Sequence, residues 1–141
     1  MVKIELLGEP RGKDRPRFLM NRSKPYTSSR TAEYEESLAK AALVAMAGRK
    51  PLEGPVFVSV RAFFEIAKSW PKKNRALALS GYLRPTKKPD WDNLAKVLDA
   101  FSGIVWLDDT QVVDGRVTKE YSTTPRLVVE VYELGPPNEP D

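Results

Sequence analysis

The sequence contains neither cysteine nor histidine. Without cysteine there is no disulfide framework, no thiol nucleophile and no thiolate zinc site. Without histidine there is no imidazole metal ligand, no histidine-based triad and no histidine general base. Long apolar runs are missing as well: nothing approaches the roughly 20 residues that a membrane-spanning helix needs. The opening Met1-Val2-Lys3-Ile4-Glu5-Leu6-Leu7-Gly8 alternates and is too short for a signal peptide, so a cytoplasmic protein with no membrane partner is expected. Internal repeats and low-complexity segments are also lacking. The chemistry left to the chain belongs to carboxylates, lysines, tyrosines and hydroxyls, and all-oxygen sites suit hard ions such as magnesium or manganese.

The 141 residues fit one domain. With 41% hydrophobic and 30% charged residues the composition is that of an ordinary globular chain, not a disordered one. The formal charge of +4 is modest but unevenly placed. Residues 10–31 carry Arg11, Lys13, Arg15, Arg17, Arg22, Lys24 and Arg30 against the single acid Asp14. Residues 66–89 carry Lys68, Lys72, Lys73, Arg75, Arg84, Lys87 and Lys88 against none. A single basic block is ordinarily a solvated loop. Two such blocks flanking an acidic cluster point to a polyanion, and nucleic acid is the expected partner.

Val2–Leu7 alternates as a strand. Residues 8–27, broken by Gly8, Pro10, Gly12, Pro16 and Pro25, read as a long loop whose basic side chains suit phosphates. Ser28 or Ser29 caps a helix reaching about Ala47, with Gly48 as its stop. Val56–Glu65 is the strongest strand, β-branched and aromatic. Lys72–Ser80 reads as a short helix behind Pro71. A third helix, capped by Asp90 or Asp92, runs to about Phe101, with Leu94, Val97, Leu98 and Phe101 as its buried stripe and Asp92, Lys96 and Asp99 sharing another face. Gln111–Tyr121 and Arg126–Leu134 read as two strands of a hairpin turned at Ser122-Thr123-Thr124-Pro125. The expected fold class is α+β: one domain over residues 1–134, a small mixed β-sheet with helices packed mainly on one face, and a flexible tail at 135–141.

The chemistry concentrates in Lys87-Lys88-Pro89-Asp90-Trp91-Asp92-Asn93-Leu94-Ala95-Lys96 and in Leu107-Asp108-Asp109-Thr110-Gln111-Val112. Taken one at a time, these residues have bland readings. An aspartate at a helix N-terminus is ordinarily a cap, Asp92 with Lys96 is an ordinary i,i+4 pair, and Asp108-Asp109 suits a turn. Trp70, Trp91 and Trp106 suit core packing better than base stacking. Taken together, Asp90, Asp92, Asp108 and Asp109 form a candidate metal set. Carboxylates crowded without a cation raise one another's pKa, and a divalent ion removes that cost while activating water against a phosphodiester. Lys96 can position the attacking water or meet charge developing on the phosphoryl group.

The joint pattern, extended by Asp99-Ala100 and Gly103, closely resembles the RusA family of Holliday junction resolvases. Lys13-Asp14-Arg15-Pro16-Arg17-Phe18, Tyr26-Thr27, Thr31 and Tyr34-Glu35 are similar to the phage-type and Gram-positive members. The resemblance covers nearly the whole chain and is strongest over residues 88–113. It implies a homodimeric, magnesium-dependent endonuclease (manganese substituting) that cuts four-way DNA junctions in recombination and repair, associated with the nucleoid while it acts. It puts the catalytic residues at Asp90, Asp92, Asp109 and Lys96, with Asp108 a further acidic neighbour. Arg11, Lys13, Arg15, Arg17, Lys24, Lys72, Lys73, Arg84, Lys87 and Lys88 are the candidate DNA contacts. Two departures stand out: Pro89 occupies a place that is basic in some members, with Lys87 and Lys88 just upstream, and residues 66–86 are longer than in compact ones. A nuclease for other branched DNA, or a non-catalytic DNA-binding module, are the competing readings.

Overall fold

The computed structural model describes residues 1–13 and 29–135. Its elements are β1 (Val2–Leu7), α1 (Ser29–Met46), β2 (Val56–Glu65), α2 (Lys72–Leu79), α3 (Trp91–Lys96), β3 (Val112–Ser122) and β4 (Arg126–Glu133). A 3-10 segment, Val97–Phe101, continues α3, and a 3-10 turn, Asp109–Gln111, precedes β3. The expected α+β class holds: a four-stranded mixed sheet with helices layered against it in one small domain. Among the described residues no helix is long and apolar enough to cross a membrane.

The sheet order is β1-β4-β2-β3. β4 is antiparallel to both β1 and β2, whereas β3 runs parallel to β2. The expected β3–β4 hairpin is therefore not formed: the two strands flank β2 on opposite sides. The reason lies in β2 itself. Val56, Val58, Val60, Ala62 and Phe64 are all buried on one face, and Phe63 is buried on the other. The strand with most to hide takes a central place, where both edges of its backbone are hydrogen-bonded. Residues 122–125 then carry the chain past the end of β2 rather than turning it back on β3.

The core joins that sheet face to Leu38, Ala42 and Met46 of α1 and to Leu94, Val97, Leu98 and Phe101, with Phe101 and Trp106 packed edge to face at 5.6 Å. The expected stripe is buried throughout, but the helix bearing it is α-helical only to Lys96 and tightens to 3-10 from Val97. Each buried member of the stripe contributes about 2 kcal/mol. The exposed Asp92–Lys96 pair contributes at most about 1 kcal/mol. The stripe therefore sets where α3 lies, and its polar side chains need not serve the fold.

Candidate functional site

Asp90 occupies the N-cap position of α3 with extended backbone (φ −66°, ψ 153°), yet its side chain makes no capping hydrogen bond. Its carboxylate is not used to close the helix. Asp92 lies in the first turn, and the Lys96 ammonium stands 3.4 Å from its Oδ2, both side chains well exposed at 63% and 57%. That pair is easily parted, because solvent screens it.

What fixes the start of α3 comes from elsewhere. The Lys119 ammonium, on β3, donates to the carbonyls of Lys87 and of Pro89, the latter at 2.9 Å. Trp91 Nε1 donates to Val117 O at 2.9 Å, and the Arg84 guanidinium to Lys119 O at 3.1 Å. On the opposite side Gly12 lies against Pro89 and Asn93: a Cβ there would come within 2.7 Å and 2.9 Å of their Cβ atoms. Lys13 N completes the contact by donating to Asn93 O at 3.1 Å.

The second acidic pair is built differently. The Asp108 carboxylate accepts from the Gln111 backbone N–H in a capping box and from the Thr110 hydroxyl at 3.1 Å. Gln111 Oε1 accepts from Leu107 N (2.8 Å) and Asp108 N (3.0 Å), while its Nε2 donates to Leu52 O (2.8 Å) and Gly54 O (3.0 Å). Asp108 thus behaves as the turn residue of the bland reading. Asp109 stands beside it without that duty. A hydrogen bond with Asp108, then partial desolvation and the negative charges of Asp108 and Asp99, hold the Asp109 carboxyl above the usual aspartate range. Asp108 is lowered in turn, chiefly by that same hydrogen bond and the one from Thr110. Two acids in this arrangement favour a shared proton or a cation.

Two depressions flank α3. The larger, about 770 Å³, is lined by Arg11, Gly12, Arg30, Lys88, Asp90 and Asn93 among others. The smaller, about 510 Å³, includes Trp91, Lys96, Asp99, Asp109 and Asp114 over an apolar floor from β2 and β3. Lys96 and Asp109 are thus brought together, and Asp92 joins them through Lys96, but Asp90 opens on the other side. Among the described residues no group of three acidic side chains converges closely enough to hold an ion. The single pocket walled by Asp90, Asp92, Asp108 and Asp109 is not assembled as one cluster. The donor set still fits magnesium, which keeps several waters and uses only one or two carboxylates.

The basic candidates separate in the same way. Arg11 and Lys88 line the depression that holds Asp90, joined by Arg30. Lys13 lines it too, but its ammonium lies 3.1 Å from Glu35 Oε1 and 3.0 Å from Asp99 Oδ2, tying residues 11–13 to α1 and to the 3-10 segment. Lys72 and Lys73 are exposed on α2. Lys87 lies with its ammonium 5.6 Å from the centre of the Phe64 ring. Arg84 is bonded to β3 and shares a small cavity with Arg61 and Arg116 on the outer sheet face. Arg15, Arg17 and Lys24 lie outside the described residues. Of the three tryptophans, Trp106 is core and Trp70 packs edge-on to Tyr121 at 5.3 Å, but Trp91 is 59% exposed beside the site. Lys119 and Gln111 have structural parts that were not anticipated. Lys119 did carry a signal: it falls on the same strand phase as Val117 and Tyr121, where a lysine is out of place unless its ammonium has a partner.

Comparison with known proteins fits this arrangement. The family model described as "Endodeoxyribonuclease RusA" matches residues 8–132, a span that contains both acidic turns and the strands that hold them. The uncharacterized protein YqaN of Bacillus subtilis (strain 168) is 37% identical over 138 residues, covering 94% of this chain and 96% of that protein. A match over most of the length shows that this chain belongs to the RusA family of endodeoxyribonucleases.

Proposed function

We propose that this protein resolves four-way DNA junctions as a homodimer, hydrolysing one phosphodiester in each of two symmetric strands with the help of magnesium, for which manganese can substitute. Family membership supports the junction-resolving endonuclease. The observation that carries the assignment of chemistry to this site is the Asp90 carboxylate, set at a helix N-terminus and not used to cap it.

Asp90 on one side of α3, and Asp92 with Asp109 on the other, are the carboxylates that would hold divalent ions, one or two to an ion, with Asp108 shaping the turn that presents Asp109. A bound divalent ion lowers the pKa of water and neutralises charge at the phosphoryl oxygens. The rest falls to the chain's own side chains. Lys96, released from its loose pair with Asp92, sets an ammonium where negative charge develops on the phosphoryl group. Arg11, Arg30 and Lys88 hold the strand's phosphates beside Asp90, fixing register without reading sequence. Preference for a junction over plain duplex then comes from shape and deformability. Two equivalent sites related by a two-fold axis match two symmetric cuts, which is the case for a dimer.

Magnesium-dependent cleavage of a fixed four-way junction, with flaps and duplex alongside, tests this reading. Paired symmetric nicks confined to the junction are expected. Asp92→Asn should bind the junction with unchanged affinity and cut it at least about 100-fold more slowly, the order of loss when an electrostatic contributor to the transition state is removed. Normal cutting by this variant would refute the assignment. Equal cutting of flaps would favour a general branched-DNA nuclease, and intact DNA throughout a binding module.

A further inference from the structure

We propose that Lys119 is a positioning residue for Asp90, clamping the Lys87–Pro89 backbone so that the first turn of α3 is held from β3 and the Asp90 carboxylate stays available to a divalent cation. This rests on the reading of Asp90 as a cation-binding carboxylate. Lys119 sits in β3 opposite Ala62 of β2, on the face that carries the helices. Its ammonium bonds the carbonyls of Lys87 and Pro89, on either side of residue 88, and lies 5.8 Å from the centre of the Phe64 ring. A flexible ammonium with three donors can hold two carbonyls at once, whereas an apolar side chain of similar length can hold neither.

Three further observations support the clamp. Among the described residues β3 is the sheet's edge strand, so one side of its backbone is not engaged by another strand. Val117 O and Lys119 O, neighbours along it, accept from Trp91 Nε1 and Arg84, which flank the clamped carbonyls in sequence. The segment from Arg84 to Trp91 is therefore laced to β3 at each end and at its middle. Finally, Asp90 is an N-cap whose side chain does not cap. A helix start normally uses that side chain to satisfy its first amides. Here the entry to α3 is set by Lys119 and Trp91, and the carboxylate is left over.

The sign of the effect on metal binding decides the matter. If Lys119 were only a nearby positive charge, its removal would strengthen cation binding. If it positions Asp90, its removal weakens binding despite the lost repulsion. Manganese binding to the full-length protein, followed by the free-ion electron paramagnetic resonance signal, reads this directly and needs no turnover. We expect Lys119→Met to weaken manganese binding by about tenfold or more, the usual loss when a group orienting a metal ligand is removed. Lys119→Arg, which keeps the donors, should recover a large part. Unchanged or tighter binding in Lys119→Met, while Asp90→Asn binds weakly, would overturn the proposal and leave the site assignment standing. Conversely, if manganese binding depends on both Asp90 and Lys119 but no junction is cut, the nuclease reading fails and the clamp stands. Equal losses in Lys119→Met and Lys119→Arg, accompanied by a matching drop in thermal midpoint, would make Lys119 merely structural and also refute it.

Discussion

Asp108 and Asp109 are identical in type and adjacent in sequence, yet they stand in different situations. Asp108 closes a capping box and accepts from Thr110, which is how an aspartate serves a turn. Asp109 is presented by that turn, and the crowding of Asp108 and Asp99 pushes its carboxyl up. The residue that makes the difference is Gln111, whose amide is saturated from both sides: two backbone N–H groups donate to its oxygen and two carbonyls accept from its nitrogen. Gln111→Met keeps the shape and removes all four bonds. Leaving such part-buried groups unsatisfied costs on the order of 1–3 kcal/mol. Urea denaturation should show a loss of about 2 kcal/mol at unchanged m-value; an unchanged midpoint would mean that water replaces the amide fully. The carboxamide was visible in the motif, but two of its four partners, the carbonyls of Leu52 and Gly54, lie in a connector more than fifty positions away and could not be read from spacing.

Among the elements, α1 ends where the sequence places its end, but not with the residue best suited to it. Ala47 follows the last helical residue with φ 49°, and Gly48 follows at φ 80°. A left-handed alanine costs about 1–2 kcal/mol, partly offset in a glycine by the greater freedom of its unfolded chain. Ala47→Gly is therefore expected to stabilise the fold by about 0.5 kcal/mol, raising the thermal midpoint by a few degrees. A lowered midpoint would show that the alanine methyl contributes packing that its exposure does not suggest. The third helix shows a different limit. Its apolar spacing correctly selects the buried residues, because both α and 3-10 geometry put positions three apart on nearly the same side. The same spacing cannot say which of the two the backbone takes after Lys96. For β3 and β4, closeness in sequence and a turn-rich link suggested a hairpin, but the demand of β2 for two partners outweighed it.

Across the whole molecule, basic charge is divided between side chains left open to solvent and side chains tied inward. Arg11, Lys13 and Lys88 all border the depression at Asp90, but the Lys13 ammonium is tied to Glu35 and Asp99. Burial lowers the Lys13 pKa, but its hydrogen bonds to Asp99 and Glu35 outweigh this and hold it above its usual value. The expected consequence is measurable in the salt dependence of junction binding. Arg11→Ala and Lys88→Ala should each reduce the slope of log K against log salt by about one phosphate contact, near 0.9. Lys13→Ala should leave that slope unchanged while lowering stability. If the slope falls equally for all three, Lys13 faces DNA after all.

The sequence by itself determined the chemical vocabulary, the fold class and the buried residues. Without cysteine or histidine only carboxylates, lysines, tyrosines and hydroxyls remain for chemistry, and period-two and helical spacing single out Val58, Val60, Leu94 and Phe101 whatever the topology. Those are local properties, carried by side-chain type and the geometry of a strand or helix. Only the tertiary structure decided which strand lies between which, which aspartate is a turn residue, which lysine is tied inward, and that Lys119 reaches across to the carbonyls before Asp90. Each of these depends on contacts between distant parts of the chain, where the burial of a whole strand or stripe outweighs any pairwise preference readable along the sequence.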